Sequence, residues 1–529
     1  MIDICYVGNS SNDNIKIKNH TYNTLGGSSI YSSFSSRNCS EGRIAIISKI
    51  DAKTKLNLEK NGIEFYGQIV NKMSEFIIDE EKDTCIAKYY NNDPISLNKQ
   101  MHINHLHISL RKGIEFEEIF NNEYLHYQHL SVDVMIHSVH DFIPVIEKYS
   151  SKIEILFCNI KEYNILKKYI KEIPLTIVTN EDKPVIVVTP NNIKAYDIAN
   201  NKNIKSTTGA GDTFIGGFLA KYIINKNLDE AISQGIYNSN KSIEKIGPLL
   251  NQKYQDNQNI KPSLLPNNLI VIGNSCAGKT TFINWFKNKY NIYFDIDDLA
   301  PLLETFMLDD LLHQNKIKDF KEIKEKLKYI KEIWEEYSKN IDSIKFYTQP
   351  SKSGNGHDII RPILWDYIID MATKNAQNNN IIQFSRGKDE LYENEFKENA
   401  YLRSIKKFIY NLPNNDNCII INLVSNLDIR KERNTQRFLN GGHYVSNETM
   451  ENVYSSDIFD YSKTSENLGY LTIDEKKIPV FTIINDKMLN EIELDEFLEY
   501  NVNEVIKYYN QFMEDEHGFK KNTKRYLAK

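Results

Sequence analysis

The chain has 529 residues, enough for about two to four compact domains, and its 41% hydrophobic and 26% charged residues are ordinary for globular proteins. Its 65 basic and 71 acidic residues give a net charge of −6, which argues against a protein that binds mainly nucleic-acid phosphates or a membrane surface. We expect a cytoplasmic protein, because there is no signal peptide and no apolar run of about 18 residues, and the six dispersed cysteines form no CxxC pair.

Short β-like runs alternate with amphipathic stretches in both halves of the chain, which predicts an α/β fold with parallel sheets. The segment 250–268 is polar, contains Pro262 and Pro266, and has the composition of a linker. We therefore predict a first domain over residues 1–252, a linker over 253–266 and a second domain over 267–529.

The first half contains a cluster of small residues, Gly209-Ala210-Gly211-Asp212, before a predicted helix. Small residues expose backbone N–H groups at a helix N-terminus, which would form an anion hole. Asp212 stands where a carboxylate could take a proton from an acceptor hydroxyl during phosphoryl transfer. Taken alone, the same string also fits a helix N-terminus capped by an aspartate.

Two other motifs accompany this cluster. Gly26-Gly27 opens a helix of small residues, and Asn159-x-x-Glu162 follows the predicted strand KIEILF. In this order and spacing the three motifs resemble the PfkB/ribokinase family of sugar and nucleoside kinases, over about residues 1–250. The resemblance implies a ribokinase-like three-layer α/β/α domain with a small β lid, which uses ATP and Mg²⁺.

The resemblance also implies roles for individual residues. Asp212 would be the catalytic base. Gly209, Ala210 and Gly211 would form the anion hole for the phosphate of ATP. Asn159 and Glu162 would position Mg²⁺ and phosphate through water. Those expected to form the acceptor pocket are Gly26 and Gly27, with Asp13 as a weaker candidate. The hairpin EFIIDE/TCIAKYY would be the lid, through which a homodimer could form.

Several positions depart from the family pattern. Ser206 stands where the family usually has an aspartate, and TNEDKP at 179–184 replaces a glycine-rich turn. These departures leave two hypotheses open for the first half, an active kinase of a sugar, polyol or nucleoside, or a degenerate domain that senses a ligand.

The second half begins with a strand-like run and a segment that fits G-x-x-x-x-G-K-[ST]. Such a loop turns successive backbone N–H groups toward phosphate oxygens, its lysine reaches the β- and γ-phosphates, and its threonine binds Mg²⁺. The residues expected to bind the nucleotide are Gly273, Asn274, Ser275, Cys276, Ala277, Gly278, Lys279, Thr280 and Thr281.

Later elements favour a small-molecule kinase. Asp295 and Asp297 end the next predicted strand, where carboxylates can orient an acceptor or help to hold Mg²⁺, although Asp297 also fits a helix N-cap. Arg386 follows another strand and could bind a substrate phosphate. No carboxylate follows that strand directly; Gln383 lies within it.

Three arginines, Arg430, Arg433 and Arg437, recur on one face of a predicted helix. They form either a solvated charged face or an arginine lid that closes over ATP. This half resembles the adenylate-kinase-like P-loop kinases of small metabolites, over about residues 267–510, which implies a P-loop NTPase α/β/α domain with a parallel sheet.

The sequence therefore predicts a bifunctional ATP-dependent phosphotransferase with small-molecule substrates and no nucleic-acid or membrane partner. Two alternatives remain: one active P-loop kinase joined to a ligand-sensing domain, and a P-loop ATPase or switch that acts on macromolecules.

Overall fold

The computed structural model describes residues 1–91, 95, 97, 99–111, 116–199, 201–249, 260–297, 347–348, 369–386, 398–440, 444–452, 454 and 459–517. The chain divides into two compact units, Met1–Ser263 and Leu264–Lys529. The division falls within the predicted linker, of which residues 253–259 lie outside the described residues. Within the described ranges, no helix combines the length and the apolar character needed to cross a membrane.

The first unit alternates strands and helices. Its strands are β1 (Ile2–Val7), β2 (Ser11–Ile17), β3 (His20–Gly26), β4 (Ile44–Ile47), β5 (Lys49–Ile50), β6 (Ile63–Phe65), β7 (Gln68–Ile69), β8 (Ser74–Asp79), β9 (Thr84–Tyr89), β10 (Met101–Ser109), β11 (Leu125–Asp133), β12 (Ile155–Asn159), β13 (Leu175–Asn180), β14 (Lys183–Val188) and β15 (Ile193–Tyr196). Its helices are α1 (Ser28–Cys39), α2 (Ala52–Lys60), α3 (Phe116–Phe120), α4 (Val139–Tyr149), α5 (Ile160–Leu166), α6 (Ala210–Asn225) and α7 (Leu228–Ile243).

The central sheet of this unit has the strand order β15-β14-β13-β12-β11-β10-β1-β4-β6. The strands from β13 to β6 are parallel, and β14 and β15 run antiparallel to their neighbours. Continuous apolar runs such as Ile44–Ile47 are completely buried, as expected for a parallel sheet covered on both faces. The predicted α/β class is confirmed for this unit.

A smaller sheet has the order β3-β2-β8-β9. In it β8 and β9 form the hairpin predicted from EFIIDE and TCIAKYY, with Ile78 opposite Cys85. We call this hairpin the lid hairpin. Strand β9 is at the edge of this sheet, and every residue of it is exposed.

The second unit has its own parallel sheet. After β16 (Ser263–Leu265), its described strands are β17 (Asn268–Gly273), β18 (Phe294–Asp297), β19 (Tyr347–Thr348), β20 (Asn380–Phe384), β21 (Cys418–Val424), β22 (Tyr444–Val445), β23 (Ser462–Lys463), β24 (Leu468–Ile473) and β25 (Lys476–Ile484). Its described helices are α8 (Lys279–Lys289), α9 (Ala400–Asn411), α10 (Leu427–Leu439), α11 (Asn447–Asn452) and α12 (Glu491–His517).

The strand order in this sheet is β18-β20-β17-β21-β25-β24-β23, and the strands from β18 to β25 are parallel. The first strand, β17, lies between β20 and β21, so the chain leaves β17 at a point where the strand order changes direction. Ligands of open α/β sheets bind at such switch points, beyond the carboxyl ends of the strands. The Gly273–Thr280 loop begins at this point.

Candidate functional sites

A pocket of about 610 Å³ in the first unit lies between the lid hairpin and the starts of α1 and α6. The lid hairpin gives the pocket an apolar wall through Phe76, Ile78 and Ala87, followed by Tyr90, and Met135 also lines the pocket. The polar groups that line the pocket include Asp13, Ser28, Tyr31, Arg111 and Asp212. The pocket therefore combines an apolar wall with a small set of converging polar groups, as small-molecule sites do.

Asp13 lies against the glycine pair at the start of α1. Its side chain is buried, and Ser11 Oγ donates to Asp13 Oδ1 at 2.7 Å. A Cβ on Gly26 would come within 1.8 Å of Asp13 Oδ2, and a Cβ on Gly27, whose φ is +94°, would meet Asn9 O at 2.2 Å. Neither position has room for a Cβ atom, because Asp13 lies against Gly26 and the backbone of Asn9 lies against Gly27. Burial raises the pKa of Asp13 to about 6, although the bond from Ser11 opposes this shift.

Asp212 lies in the first turn of α6 and faces Arg111. The Nη2 atom of Arg111 is 3.7 Å from Asp212 Oδ1 and 2.5 Å from Asp133 Oδ2. Burial raises the pKa of Asp212 to about 7, with Asp133, Glu162 and Asp13 acting in the same direction and Arg111 acting against them. A carboxyl group with a pKa near neutrality is suited to accept a proton.

Arg111 is a site residue that the sequence reasoning missed. It comes two residues after the end of β10, so it lies at the carboxyl end of a central parallel strand, and this position is the signal that could have identified it. Burial works against its charge, but Asp133 and Asp212 raise the pKa of Arg111 above its usual value. Although burial acts in the opposite direction, Arg111 and His107 hold the pKa of Asp133 below its usual range.

Behind this pair a buried polar chain extends into the sheet. His107 Nε2 lies 3.2 Å from Asp133 Oδ1, and Ser131 Oγ lies within 2.9 Å of His107 Nδ1 and 2.8 Å of His105 Nε2. Burial lowers the pKa of His105 well below its usual value, so this imidazole is neutral. His105 and His107 are therefore part of this buried polar chain, and among the described residues no group of three metal-ligating side chains is assembled.

The start of α6 contains the small residues expected to form an anion hole. Gly209 has a φ of +77°, and a Cβ there would lie 2.4 Å from the Tyr31 ring. No side chain of the described residues caps the helix at Gly209. A Cβ on Gly211 would meet no described protein atom within 4 Å. The first turn of α6 therefore presents its backbone to open space at Gly211, as an anion site requires.

Asn159 and Glu162 form a capping box at the start of α5. Asn159 Oδ1 accepts the N–H of Glu162 at 2.9 Å, and Glu162 Oε2 accepts the N–H of Asn159 at 2.7 Å. Glu162 is only 4% exposed, and burial raises its pKa to about 7. Direct ligation of a metal by Glu162 would break this cap, so the water-mediated role remains the form of the prediction that fits the structure.

Two hydroxyl groups of the pocket have no hydrogen-bond partner among the described residues. They are Tyr31 Oη and Ser28 Oγ, both buried in the pocket lining. A buried polar atom without a partner costs free energy, so such groups indicate where a ligand would be bound.

In the second unit, the Gly273–Thr280 loop curls at the end of β17. Gly273 has a φ of +151°, and a Cβ there would lie 2.4 Å from Leu423 O. Gly278 has a φ of +104°, and a Cβ there would lie 2.6 Å from Asn485 Nδ2. Lys279 begins α8 and its Nζ donates to Gly273 O at 2.8 Å and to Ser385 Oγ at 2.6 Å. The lysine thus lies across the loop, next to the end of β20.

Thr280 lies beside Gln383. Thr280 Oγ1 donates to Gln383 Oε1 at 3.3 Å, and the β18–β20 register places Gln383 opposite Asp297. Asp295 is exposed and forms an ion pair with Lys287. An amide therefore occupies the position next to Thr280 where a carboxylate would otherwise help to hold Mg²⁺.

The arginines expected at a phosphate site have different surroundings. Arg386 is 1% exposed, and its Nε donates to Ser404 Oγ at 2.9 Å, so its guanidinium is held in the interior. Arg433 Nη2 donates to Asn485 Oδ1 at 3.0 Å, and Asn485 Nδ2 donates to Ala277 O of the loop at 2.9 Å. Arg433 is therefore joined to the loop through Asn485.

The other two arginines of α10 are held by local contacts. Arg430 is buried, and its Nε donates to Ser425 O at 2.8 Å. Arg437 Nη2 donates to Asn434 Oδ1 at 3.0 Å. The three arginines do not share one environment, so Arg433 is the member of this set that remains a candidate for contact with a nucleotide.

Comparison with known proteins identifies part of the first unit. Residues 128–253 match the model of the pfkB family carbohydrate kinases. The chain is 34% identical to adenosine kinase 1 of Arabidopsis thaliana over 74 residues, which are 14% of this chain and 22% of that protein. It is 30% identical to adenosine kinase of Saccharomyces cerevisiae over 89 residues, which are 16% of this chain and 26% of that protein. Residues 128–253 are thus similar to the pfkB family of carbohydrate kinases, and the chain's matches span about a quarter of the length of these curated relatives.

Solved structures are also similar to the chain. Adenosine kinase from Schistosoma mansoni in complex with 2-fluoroadenosine is 14% identical with a TM-score of 0.40, covering 47% of this chain and 97% of that one. Ribokinase from Cryptococcus neoformans in complex with ADP is 15% identical with a TM-score of 0.39, covering 47% of this chain and 95% of that one.

Proposed function

We propose that the first unit transfers the γ-phosphate of ATP to a hydroxyl group of a nucleoside. The observation that carries this proposal is the Asp212 carboxylate, which faces the pocket beside Arg111 in the first turn of α6. The family match over residues 128–253 supports a kinase.

The lining of the pocket favours a nucleoside over a free sugar. A nucleobase presents a large apolar face, which fits the wall formed by Phe76, Ile78 and Tyr90. The ribose hydroxyls would meet Asp13, which is an acceptor of hydrogen bonds when ionised. The matched relatives that are named adenosine kinases support the same substrate class.

In this mechanism Asp212 accepts the proton of the attacking hydroxyl as its oxygen bonds to the γ-phosphorus of ATP, while the bond from that phosphorus to the bridging β-phosphate oxygen breaks and ADP leaves. Arg111 holds positive charge beside that carboxylate, which keeps the ionised base in place and offers a cation near the transferred phosphoryl group. The backbone N–H groups at Gly211 and Asp212 would bind the developing charge on the phosphate oxygens.

Mg²⁺ bound with ATP would neutralise phosphate charge and orient the phosphoryl group for in-line attack. Asn159 and Glu162 fit a water-mediated role toward that ion, since their side chains are engaged with each other's backbone. Asn159 and Glu162 would therefore hold Mg²⁺ through water molecules and not as direct ligands.

We also propose that the second unit is a P-loop kinase of a small metabolite. The support is the loop between β17 and α8, with glycines that close approach requires and Lys279 Nζ lying over the loop carbonyls. The strand order around β17 agrees with a nucleotide site at the switch point. Because Gln383 adjoins Thr280, Mg²⁺ held there would rely on water or on a more distant carboxylate.

The direct test is phosphate transfer from ATP by the full chain to a panel of nucleosides, sugars and polyols. We expect a nucleoside monophosphate as the first product, and its loss in Asp212→Asn. Binding of a nucleoside without any transfer would favour a ligand-sensing first unit. Transfer to sugars or polyols alone would contradict the substrate class proposed here.

A further inference from the structure

The turn of the lid hairpin carries Glu80, whose carboxylate reaches the segment that precedes α6. Glu80 Oε1 accepts hydrogen bonds from Ser206 Oγ at 2.5 Å and from Thr208 Oγ1 at 2.6 Å. The same oxygen accepts the backbone N–H groups of Thr207 and Thr208, each at 3.1 Å. Hydrogen bonds to an ionised acceptor are stronger than those between neutral groups, so one carboxylate oxygen fastens the lid to this segment.

The segment held by Glu80 leads directly into the anion hole. The carbonyl of Thr207 accepts the N–H of Ala210, the first residue of α6, at 3.2 Å. At the other end of the segment, the N–H of Lys205 donates to Ile243 O at 2.7 Å. The bonds from Glu80 therefore fix the middle of a short segment whose two ends are already anchored.

The lid hairpin also forms part of the acceptor pocket, through Phe76 and Ile78. A molecule in the pocket contacts the same hairpin that carries Glu80. We propose that Glu80 is a positioning residue that couples closure of the lid over the acceptor to the ordering of the phosphate-facing end of α6. This inference rests on the proposed kinase activity of the first unit.

The identity of residue 206 explains why the carboxylate comes from the lid. An aspartate at this position could accept the N–H of the residue two places later within the segment itself. Ser206 Oγ lies 3.3 Å from the Thr208 N–H, a weaker contact from a neutral group. The segment thus depends on a charged acceptor from another element, and it loses that acceptor whenever the lid opens. While the acceptor pocket is empty and the lid is open, the phosphate-facing end of α6 is therefore not ordered, which limits transfer of the phosphoryl group to water.

Hydrogen–deuterium exchange on the full chain tests this contact without any assay of activity. In Glu80→Ala, the amides of Thr207 and Thr208 should exchange about tenfold faster or more than in the wild type, since each loses a charged acceptor. Glu81→Ala is the matched control, because Glu81 is exposed in the same turn. Equal exchange at these amides in the two variants would overturn the proposal.

Kinetics then test the coupling. Glu80→Ala should lower kcat about tenfold and raise KM for the acceptor. Adding Ser206→Asp should restore kcat, because the segment regains a carboxylate, but should leave KM raised, because the lid stays unfastened. An unchanged kcat in Glu80→Ala, or recovery of KM together with kcat, would overturn the coupling. A wild-type chain that transfers no phosphate would refute the proposed function, and the exchange result would still decide the role of Glu80.

Discussion

Replacing Asp212 with asparagine should remove phosphoryl transfer by the first unit while making the folded chain more stable above pH 7. The pKa of this carboxyl rises from its usual 3.8 to about 7 because it is buried among other acidic groups. The folded state therefore binds more protons than the unfolded state between about pH 4 and 7, and stability falls as pH rises through this window. A shift of three pKa units corresponds to about 4 kcal/mol. This is the largest increase in the free energy of unfolding that we expect for Asp212→Asn over the wild type at pH 8.

Calorimetry of the wild type and of Asp212→Asn at pH 5 and pH 8 measures the stability difference. The variant should unfold at a higher temperature than the wild type at pH 8, and the difference should be smaller at pH 5. Loss of the base should lower kcat about 10²- to 10⁴-fold. A variant that is less stable than the wild type at pH 8 would refute the electrostatic reasoning, and retained transfer would refute the role of Asp212.

Three other substitutions test separate parts of the account. Lys279→Ala should abolish transfer by the second unit while nucleoside phosphorylation by the first unit continues; loss of both activities would contradict independent sites. Gly211→Ala should leave stability unchanged or raise it by up to about 1 kcal/mol, because no atom of the described residues lies within 4 Å of the added methyl, but should slow transfer at least about tenfold by obstructing the phosphate; normal transfer would argue against an anion hole there. Arg111→Met should lower kcat about 10²- to 10³-fold with a smaller effect on KM for the acceptor; an effect on KM alone would assign Arg111 to acceptor binding.

Local sequence patterns were sufficient to predict the α/β class and the main strands. Apolar runs such as Ile44–Ile47 and Asn268–Gly273 are strands that are buried in parallel sheets, where hydrophobic residues are continuous. The lid hairpin was also predictable, because its two runs flank a short polar turn. The stretch FKEIKEKLKYIKEIWEEYSKN at 320–340, whose apolar spacing predicts an amphipathic helix, lies outside the described residues.

The candidate sites were predictable only where a motif is contiguous. Glycines 26, 27, 209, 273 and 278 all occupy positions of close approach or positive φ, which is a local constraint that the sequence reveals. Arg111 and Glu80 reach the start of α6 through long-range contacts, from a strand end and from the lid. The strand end could have marked Arg111 as a site candidate, but no spacing in the sequence could identify its contact with Asp212 or the contacts of Glu80. The orientation of a buried arginine such as Arg386 likewise depends on its packing.

The central claim is that the first unit is a nucleoside kinase whose base is Asp212. The most direct measurement is transfer of a radiolabelled γ-phosphate from ATP to adenosine and to other nucleosides, with products separated by chromatography. The account predicts a labelled nucleoside monophosphate from the wild type and from Lys279→Ala, and none above background from Asp212→Asn. Equal labelling by Asp212→Asn, or no labelled nucleoside from the wild type across the panel, would contradict it.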